Sequence, residues 1–284
     1  MPRAAVVALP VSSGKTAAQE NFPVASLLLP AATRRQVMAF YRFARTADDI
    51  ADSPHYTPDS KILRLDALEE TLAGRHEVTE YTVSANELRQ AVNGDEALLA
   101  QAAQLLQAFR RDAVVDHCRD WGDLMMYCQF SAAPVGRFLL QLHGESPGTF
   151  GPSDSLCAAL QVLNHLQDCA EDLAALGRVY IPATWLRGAG LSHDVLAEET
   201  TPPALRQVFD IALDHVDGLI DLARPLPARI VSPRLRLQAA ITLRVAEKLS
   251  ARLRHDDPLA HKVKLSPLEY AAAVLVGLWR GWRA

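Results

Sequence analysis

Two segments of the chain concentrate carboxylates at helical spacing. The first is Tyr41-Arg42-Phe43-Ala44-Arg45-Thr46-Ala47-Asp48-Asp49-Ile50-Ala51-Asp52. At about 100° per residue, Tyr41, Arg45, Asp48 and Asp52 share an arc of roughly 60°, with Asp49 at its edge, while Ala39, Phe43 and Ile50 point away. The second is Gln161-Val162-Leu163-Asn164-His165-Leu166-Gln167-Asp168-Cys169-Ala170-Glu171-Asp172. There Gln161, Asn164, His165, Asp168 and Asp172 span an arc of about 100°, opposite Leu156, Leu163, Leu166, Ala170 and Leu173. An Asp pair at i, i+4 costs a helix a few tenths of a kcal/mol, and Asp disfavours the C-terminal half of a helix.

Each stripe by itself is also what the solvated face of an amphipathic helix looks like. Two features weigh against that reading: the stripes lack the Lys and Glu density of a wet face, and the Asp-x-x-x-Asp pair occurs twice. Two acidic faces turned toward each other across a helical cavity would hold hard cations. Mg²⁺ takes one or two carboxylates together with substrate phosphate oxygens. The spacing therefore suggests Mg²⁺-assisted ionisation of a diphosphate ester in a largely apolar pocket, without naming its carbon skeleton.

The elements that must position these residues are helices. Apolar residues recur every three or four positions and period-2 runs are nearly absent. Pro and Gly cluster between the periodic stretches. The pattern predicts helices over about 31–52, 59–73, 95–116, 121–143, 154–176, 203–223, 233–255 and 267–281, with shorter ones between. The expected fold is one all-α domain spanning residues 17–284, behind an N-terminal segment, residues 1–16, that lacks periodicity and is expected to be mobile.

Composition narrows the function. The 284 residues include 29 Lys+Arg and 33 Asp+Glu, a net charge of -4, with 49 % hydrophobic residues. An acidic chain without a Lys/Arg block is not built to bind nucleic acid. Cys118, Cys128, Cys157 and Cys169 form no C-x-x-C pair, which points to reduced thiols in a cytoplasmic protein rather than a zinc site or a disulfide frame. The N-terminus is no convincing export signal, and Gly14-Lys15-Thr16 lacks the Gly a phosphate loop requires, Leu9 standing in its place. No run is long enough to span a bilayer. The C-terminal stretch, ending Trp279-Arg280-Gly281-Trp282-Arg283-Ala284, reads either as a final core helix with a basic end or as peripheral contact at the inner face of a membrane.

At the two acidic segments the chain resembles the squalene/phytoene synthase family, all-α isoprenoid synthases with a central cavity. Also matching are Tyr127-Cys128-Gln129-Phe130-Ser131-Ala132-Ala133-Pro134-Val135-Gly136 and Gly177-Arg178-Val179-Tyr180-Ile181-Pro182. Together these extend the resemblance from about Glu20 to Ser266. Within the family the chain is most similar to the bacterial hydroxysqualene synthase branch of hopanoid biosynthesis. Glu20-Asn21-Phe22-Pro23-Val24-Ala25-Ser26 stands where other members begin with a Lys-Ser-Phe element. Asn164-His165-Leu166-Gln167-Asp168 replaces the usual Asn-Ile-Leu-Arg-Asp, and Ser131-Ala132-Ala133-Pro134-Val135-Gly136-Arg137 replaces Val-Ala-Gly-x-Val-Gly.

The resemblance implies that Asp48, Asp49, Asp52, Asp168 and Asp172 bind Mg²⁺ and, through it, a diphosphate. It also implies that Arg45, Gln161, Asn164, Arg178 and Lys264, with Lys262, serve the diphosphate end, and that Tyr41 and Tyr127 line the cavity. The branch converts presqualene diphosphate and water to hydroxysqualene and diphosphate, without nicotinamide reduction, and hand-over to other squalene/hopanoid enzymes would follow. His165 replaces an apolar family position and suits a role in placing or deprotonating the water that quenches a carbocation; the alternative is a histidine that merely bonds a neighbouring helix. Two other readings stand beside this one: condensation of two farnesyl or geranylgeranyl diphosphates to presqualene diphosphate, squalene or phytoene, and a non-catalytic helical factor that keeps the fold.

Overall fold

The computed structural model describes residues 30–283. The N-terminal segment 1–16 and the element Glu20–Ser26 therefore lie outside the described residues. Thirteen α-helices follow one another among the described residues: α1 (Ala31–Asp52), α2 (Pro58–Leu72), α3 (Val83–Ala91), α4 (Glu96–Asp112), α5 (Trp121–Ser131), α6 (Ala133–Leu142), α7 (Phe150–Gln167), α8 (Cys169–Leu176), α9 (Ala183–Gly188), α10 (Pro203–Ala223), α11 (Leu226–Arg229), α12 (Pro233–Leu253) and α13 (Pro267–Arg283). No strand forms among them beyond a single parallel bridge, His117 to Val179. The fold is all-α, as the periodicity predicts.

Helix starts follow local chemistry. Asp95 accepts hydrogen bonds from the N–H groups of Ala97 and Leu98, Asp120 from that of Asp123, and Thr57 from that of Ser60 with Pro58 in the first turn of α2. The apolar faces then meet in two main clusters. One joins α1 to α4 with Phe138 of α6, and Phe40 stacks on Phe138 at 4.1 Å between ring centroids. The other joins α5, α7, α10 and α12, with Phe209, Leu163 and Leu213 sealed from solvent. Burying each such side chain stabilises the fold by about 1.5–3 kcal/mol before entropy is counted.

Two helices expected to be continuous are each broken in two. The stretch 121–143 divides at Ala132, where Pro134 supplies no N–H to continue the α-helical ladder. Here α6 also closes hard on α7. A methyl at Gly136 would press on Ser153 Oγ and lie 2.8 Å from Cys157 Sγ, so a larger residue fits only where those two side chains give way. The stretch 154–176 divides at Asp168, which adopts φ -107° and ψ 8° and separates α7 from α8. That bridge-region conformation is common among active-site residues.

Candidate active site

The C-terminal ends of α1 and α4 and the junction of α7 with α8 deliver the polar groups. α1 ends on Asp48, Asp49 and Asp52, and α4 on Asp112, so both helices place acids where the macrodipole is already negative. Cations from elsewhere answer them. Arg45 pairs with Asp48 at 2.6 Å and Asp49 at 3.0 Å. Arg178 donates to Asp52 Oδ1 at 2.5 Å and to the Ala51 carbonyl at 3.0 Å, and Lys61 reaches the same carbonyl at 2.6 Å.

Arg178 is aimed by its own short segment. Gly177 ends α8 in the left-handed conformation, φ 65°, that an L side chain adopts only with strain. The chain then pairs with the segment after α4: Val179 N–H donates to the Asp116 carbonyl (2.8 Å), and Cys118 N–H donates to the Val179 carbonyl (3.0 Å). Val179 and Ile181 are buried in the core. Tyr180, between them, donates its hydroxyl to Asp112 Oδ1 at 3.3 Å, while the Tyr127 hydroxyl donates to Asp112 Oδ2 at 2.8 Å.

His165 completes this cluster. It is 8 % exposed, stacks on Tyr180 at 3.7 Å and lies 5.9 Å from the Tyr127 ring. Its Nε2 is 3.1 Å from Gln161 Nε2 and its Nδ1 is 3.9 Å from Asp172 Oδ2. Asp168 pairs with Lys262 at 2.8 Å, and Lys262 also holds Glu171 at 2.8 Å. Gln167 Nε2 donates to the Val263 carbonyl at 2.5 Å, which ties the segment bearing Lys262 to the end of α7.

Next to this polar end opens an apolar cavity of about 120 Å³. Gln161 and Asn164 form part of its wall, and Leu139, Leu156, Leu160 and Leu235 are among its apolar lining. Tyr41 packs against Val37, as do Leu139 and Leu142.

The electrostatics record an excess of negative charge. Burial, then Asp52, raise the Asp48 carboxyl to about 7 although Arg45 opposes them, with Asp49 and Asp112 adding to the rise. Solvent still reaches 33 % of the Asp48 side chain. Burial raises Asp112 also, against Arg178 and the Tyr127 hydroxyl. Burial and Asp112 push Tyr127 and Tyr180 well above the phenol range, so both remain neutral donors. Burial opposes the Arg178 charge, but Asp112, Tyr180 and Asp52 more than offset it and the guanidinium stays charged.

Most residues singled out in the sequence take part in these contacts: Arg45 with Asp48 and Asp49, Arg178 with Asp52, His165 with Tyr127, Gln161 and Asp172, Asp168 with Lys262, and Asn164 in the cavity wall. Lys264 is exposed, and it is Lys262 that reaches the acidic segment. The arc drawn for Asp168 and Asp172 assumed one continuous helix; the break at Asp168 re-aims both relative to Gln161. Asp112, Tyr180 and Lys61 were not foreseen. An acid closing a helix, as in Arg110-Arg111-Asp112, runs against the macrodipole and was the available signal for Asp112.

Among the described residues no three acidic, His or Cys side chains converge tightly enough to cage a metal ion. The donors nonetheless suit Mg²⁺, which needs only one or two carboxylates alongside phosphate oxygens and water. They are all hard oxygens, and the raised Asp48 carboxyl marks a place where added positive charge would be favourable.

An all-α bundle that carries two acidic motifs and an apolar cavity defines a class of protein, the helical isoprenoid synthases. Comparison with known proteins makes the assignment specific. Residues 15–269 match the family model described as squalene/phytoene synthase, and the chain belongs to that enzyme family. It is 41 % identical to the hydroxysqualene synthase of Rhodopseudomonas palustris, over 92 % of this chain and 88 % of the relative. It is 40 % identical to that of Sinorhizobium fredii, over 88 % and 85 %. Among solved structures, squalene synthase HpnC from Alicyclobacillus acidocaldarius superposes with a TM-score of 0.70 at 30 % identity, covering 81 % of this chain and 86 % of that one. A ligand-bound dehydrosqualene synthase shares the fold, with a TM-score of 0.76 at 20 % identity over 93 % and 92 %.

Proposed function

We propose that the enzyme converts presqualene diphosphate and water to hydroxysqualene and diphosphate. Relatives that carry the name hydroxysqualene synthase, aligned over most of the chain, support this reading. The observation that carries it is His165, a buried imidazole between Gln161, Tyr180 and Asp172, with Gln161 itself in the wall of an apolar cavity.

Cleavage of the carbon–oxygen bond leaves a carbocation in the cavity and diphosphate at its mouth. Arg45 and Arg178 turn from their aspartates to phosphate oxygens there, as paired guanidiniums can. Mg²⁺ held by Asp48, Asp52, Asp168 and Asp172, with Asp49 beside them, would supply the charge that lets diphosphate depart. The neutral faces of Tyr41, Tyr127 and Tyr180 stabilise the cation without trapping it. Gln161 and His165 hold one water. As its oxygen bonds to the cationic carbon, its proton passes to His165 Nε2, and Asp172, facing Nδ1, steadies the imidazolium. Apolar walls keep other water out.

The test is product analysis by mass spectrometry on the purified chain with Mg²⁺ and no nicotinamide. Presqualene diphosphate is expected to give hydroxysqualene, and farnesyl diphosphate nothing. A C30 product from farnesyl diphosphate would replace this reading with a condensing synthase. His165→Phe keeps the ring against Tyr180 but removes both nitrogens. It should cut hydroxysqualene formation by roughly 100-fold or more while diphosphate release falls less. An unchanged hydroxysqualene share would remove His165 from the reaction.

A further inference from the structure

The last helix has two faces of opposite character. Ala273, Gly277 and Gly281 are buried against α12, and a methyl added at Gly277 would lie 2.6 Å from Ile241 Cα. That contact fixes which way α13 is turned. Its outer side carries Leu268, Leu275, Trp279 and Trp282, which are 83, 68, 53 and 83 % exposed. At about 100° per residue these four fall within roughly 60° of one another, so they form a single stripe. Ala271 and Ala272, also exposed, flank it, and the only carboxylate of the helix, Glu269, is turned aside to Arg252 at 2.9 Å.

The C-terminal end of that stripe is basic in an otherwise acidic chain. Arg283 lies over the Trp279 ring at 4.2 Å. Arg224, Arg244 and Arg280 all converge on one carboxylate, Glu247, at 3.2, 2.7 and 3.0 Å. Arg224 shares a second acid, Asp221. Guanidiniums therefore outnumber carboxylates here, and the surplus charge sits beside two exposed indoles.

We infer that the outer face of α13 docks on an anionic phospholipid surface. Indoles and leucines would enter the headgroup boundary, where Trp is favoured, and the arginines would engage phosphates. A second copy of the chain is a poorer occupant, because the stripe offers no carboxylate to meet that copy's arginines, Glu269 being turned aside to Arg252. No helix among the described residues is long and apolar enough to cross a membrane, so the attachment is peripheral. It also has a use. The other face of α12, through Leu235, Gln238, Ala239 and Thr242, forms one wall of the apolar cavity, which docking would place a single helix away from the bilayer.

Flotation of the full chain with vesicles tests this. Vesicles of phosphatidylcholine with about one-third phosphatidylglycerol should carry the protein up the gradient, phosphatidylcholine alone far less, and added salt should weaken the effect. Arg280→Gln with Arg283→Gln should lower binding roughly 30-fold, at about fivefold per lost charge. Trp279→Ser with Trp282→Ser, at positions outside the core, should abolish flotation with an unchanged circular dichroism melt. The inference is overturned by no flotation, by equal flotation of the Trp variant, or by a dimer in solution that the Trp variant dissolves.

Discussion

Arg178 pairs with Asp52 and its charge acts on Asp112, two part-buried acids with few other partners of opposite charge, so its removal is the most informative single change. Arg178→Met keeps most of the side-chain stem and deletes the guanidinium. The Ala51 carbonyl is not orphaned, since Lys61 still donates to it at 2.6 Å. The loss therefore falls on Asp52 and Asp112. Removing one partner of a buried ion pair costs about 3–5 kcal/mol. The Asp52 side chain keeps 25 % exposure, which lets water solvate part of the stranded charge and favours the lower end, about 3 kcal/mol. For a chain of this size that is a fall of roughly 6 °C in Tm.

The pH dependence has a definite sign. Burial already raises Asp112 in the folded state, with Arg178 opposing the rise, so the variant raises it further. A carboxyl raised by folding destabilises the native state while ionised, and that penalty disappears as pH falls through its folded pKa. Urea melts should show a gap between variant and wild type that is full at pH about 8 and narrower at about 5. Asp112→Asn in the variant background should recover about 1–2 kcal/mol at the higher pH. A gap below about 1 kcal/mol, or one indifferent to pH and to Asp112→Asn, would refute the claim that Arg178 holds these acids in place.

Two further outcomes follow from the same geometry. Gly136→Ala drives a methyl against Ser153 Oγ and Cys157 Sγ and should cost about 1–3 kcal/mol in thermal or urea melts, part of it recovered by Ser153→Ala. Binding of Mg²⁺ with inorganic diphosphate should release protons near neutral pH, because the Asp48 carboxyl is held up at about 7 and a cation favours its ionised form. Calorimetry in buffers of different ionisation heat should show this release fading above about pH 8.5, where Asp48 is already ionised, and disappearing in Asp48→Asn.

The helical fold was legible because its signals are local. A period of three to four, Pro58 and Asp95 at helix starts, and Pro and Gly between helices are each written within a few residues. The face bearing Gln161, Asn164 and His165 was legible for the same reason: Gln161 and Asn164 are part of the cavity wall, His165 lies against Gln161, and Leu163 and Leu166 are turned into the core. The breaks at Ala132 and Asp168 were not, although Pro134 marked the first. Asp168 bends the chain without any Gly or Pro, so only its tertiary surroundings account for it.

Asp112 and Tyr180 show the other limit. Tyr180 is unremarkable in its own segment and Asp112 is marked only as an acid closing a helix; both acquire meaning where α4 ends against the strip that carries Arg178. The hydrogen bonds from Tyr127 and Tyr180 connect positions 15 and 68 residues apart, and Arg178 meets Asp52 across 126. No window on the sequence sees such separations, yet the chain does record their consequence. Three acids at the end of one helix and a fourth at the end of another are locally unfavourable, and a sequence keeps unfavourable choices where something distant compensates them. Arg45, Lys61 and Arg178 supply that compensation without substrate. In the proposed reaction their donors would turn to a diphosphate as a cation neutralises the acids, and the binding of the two would be coupled.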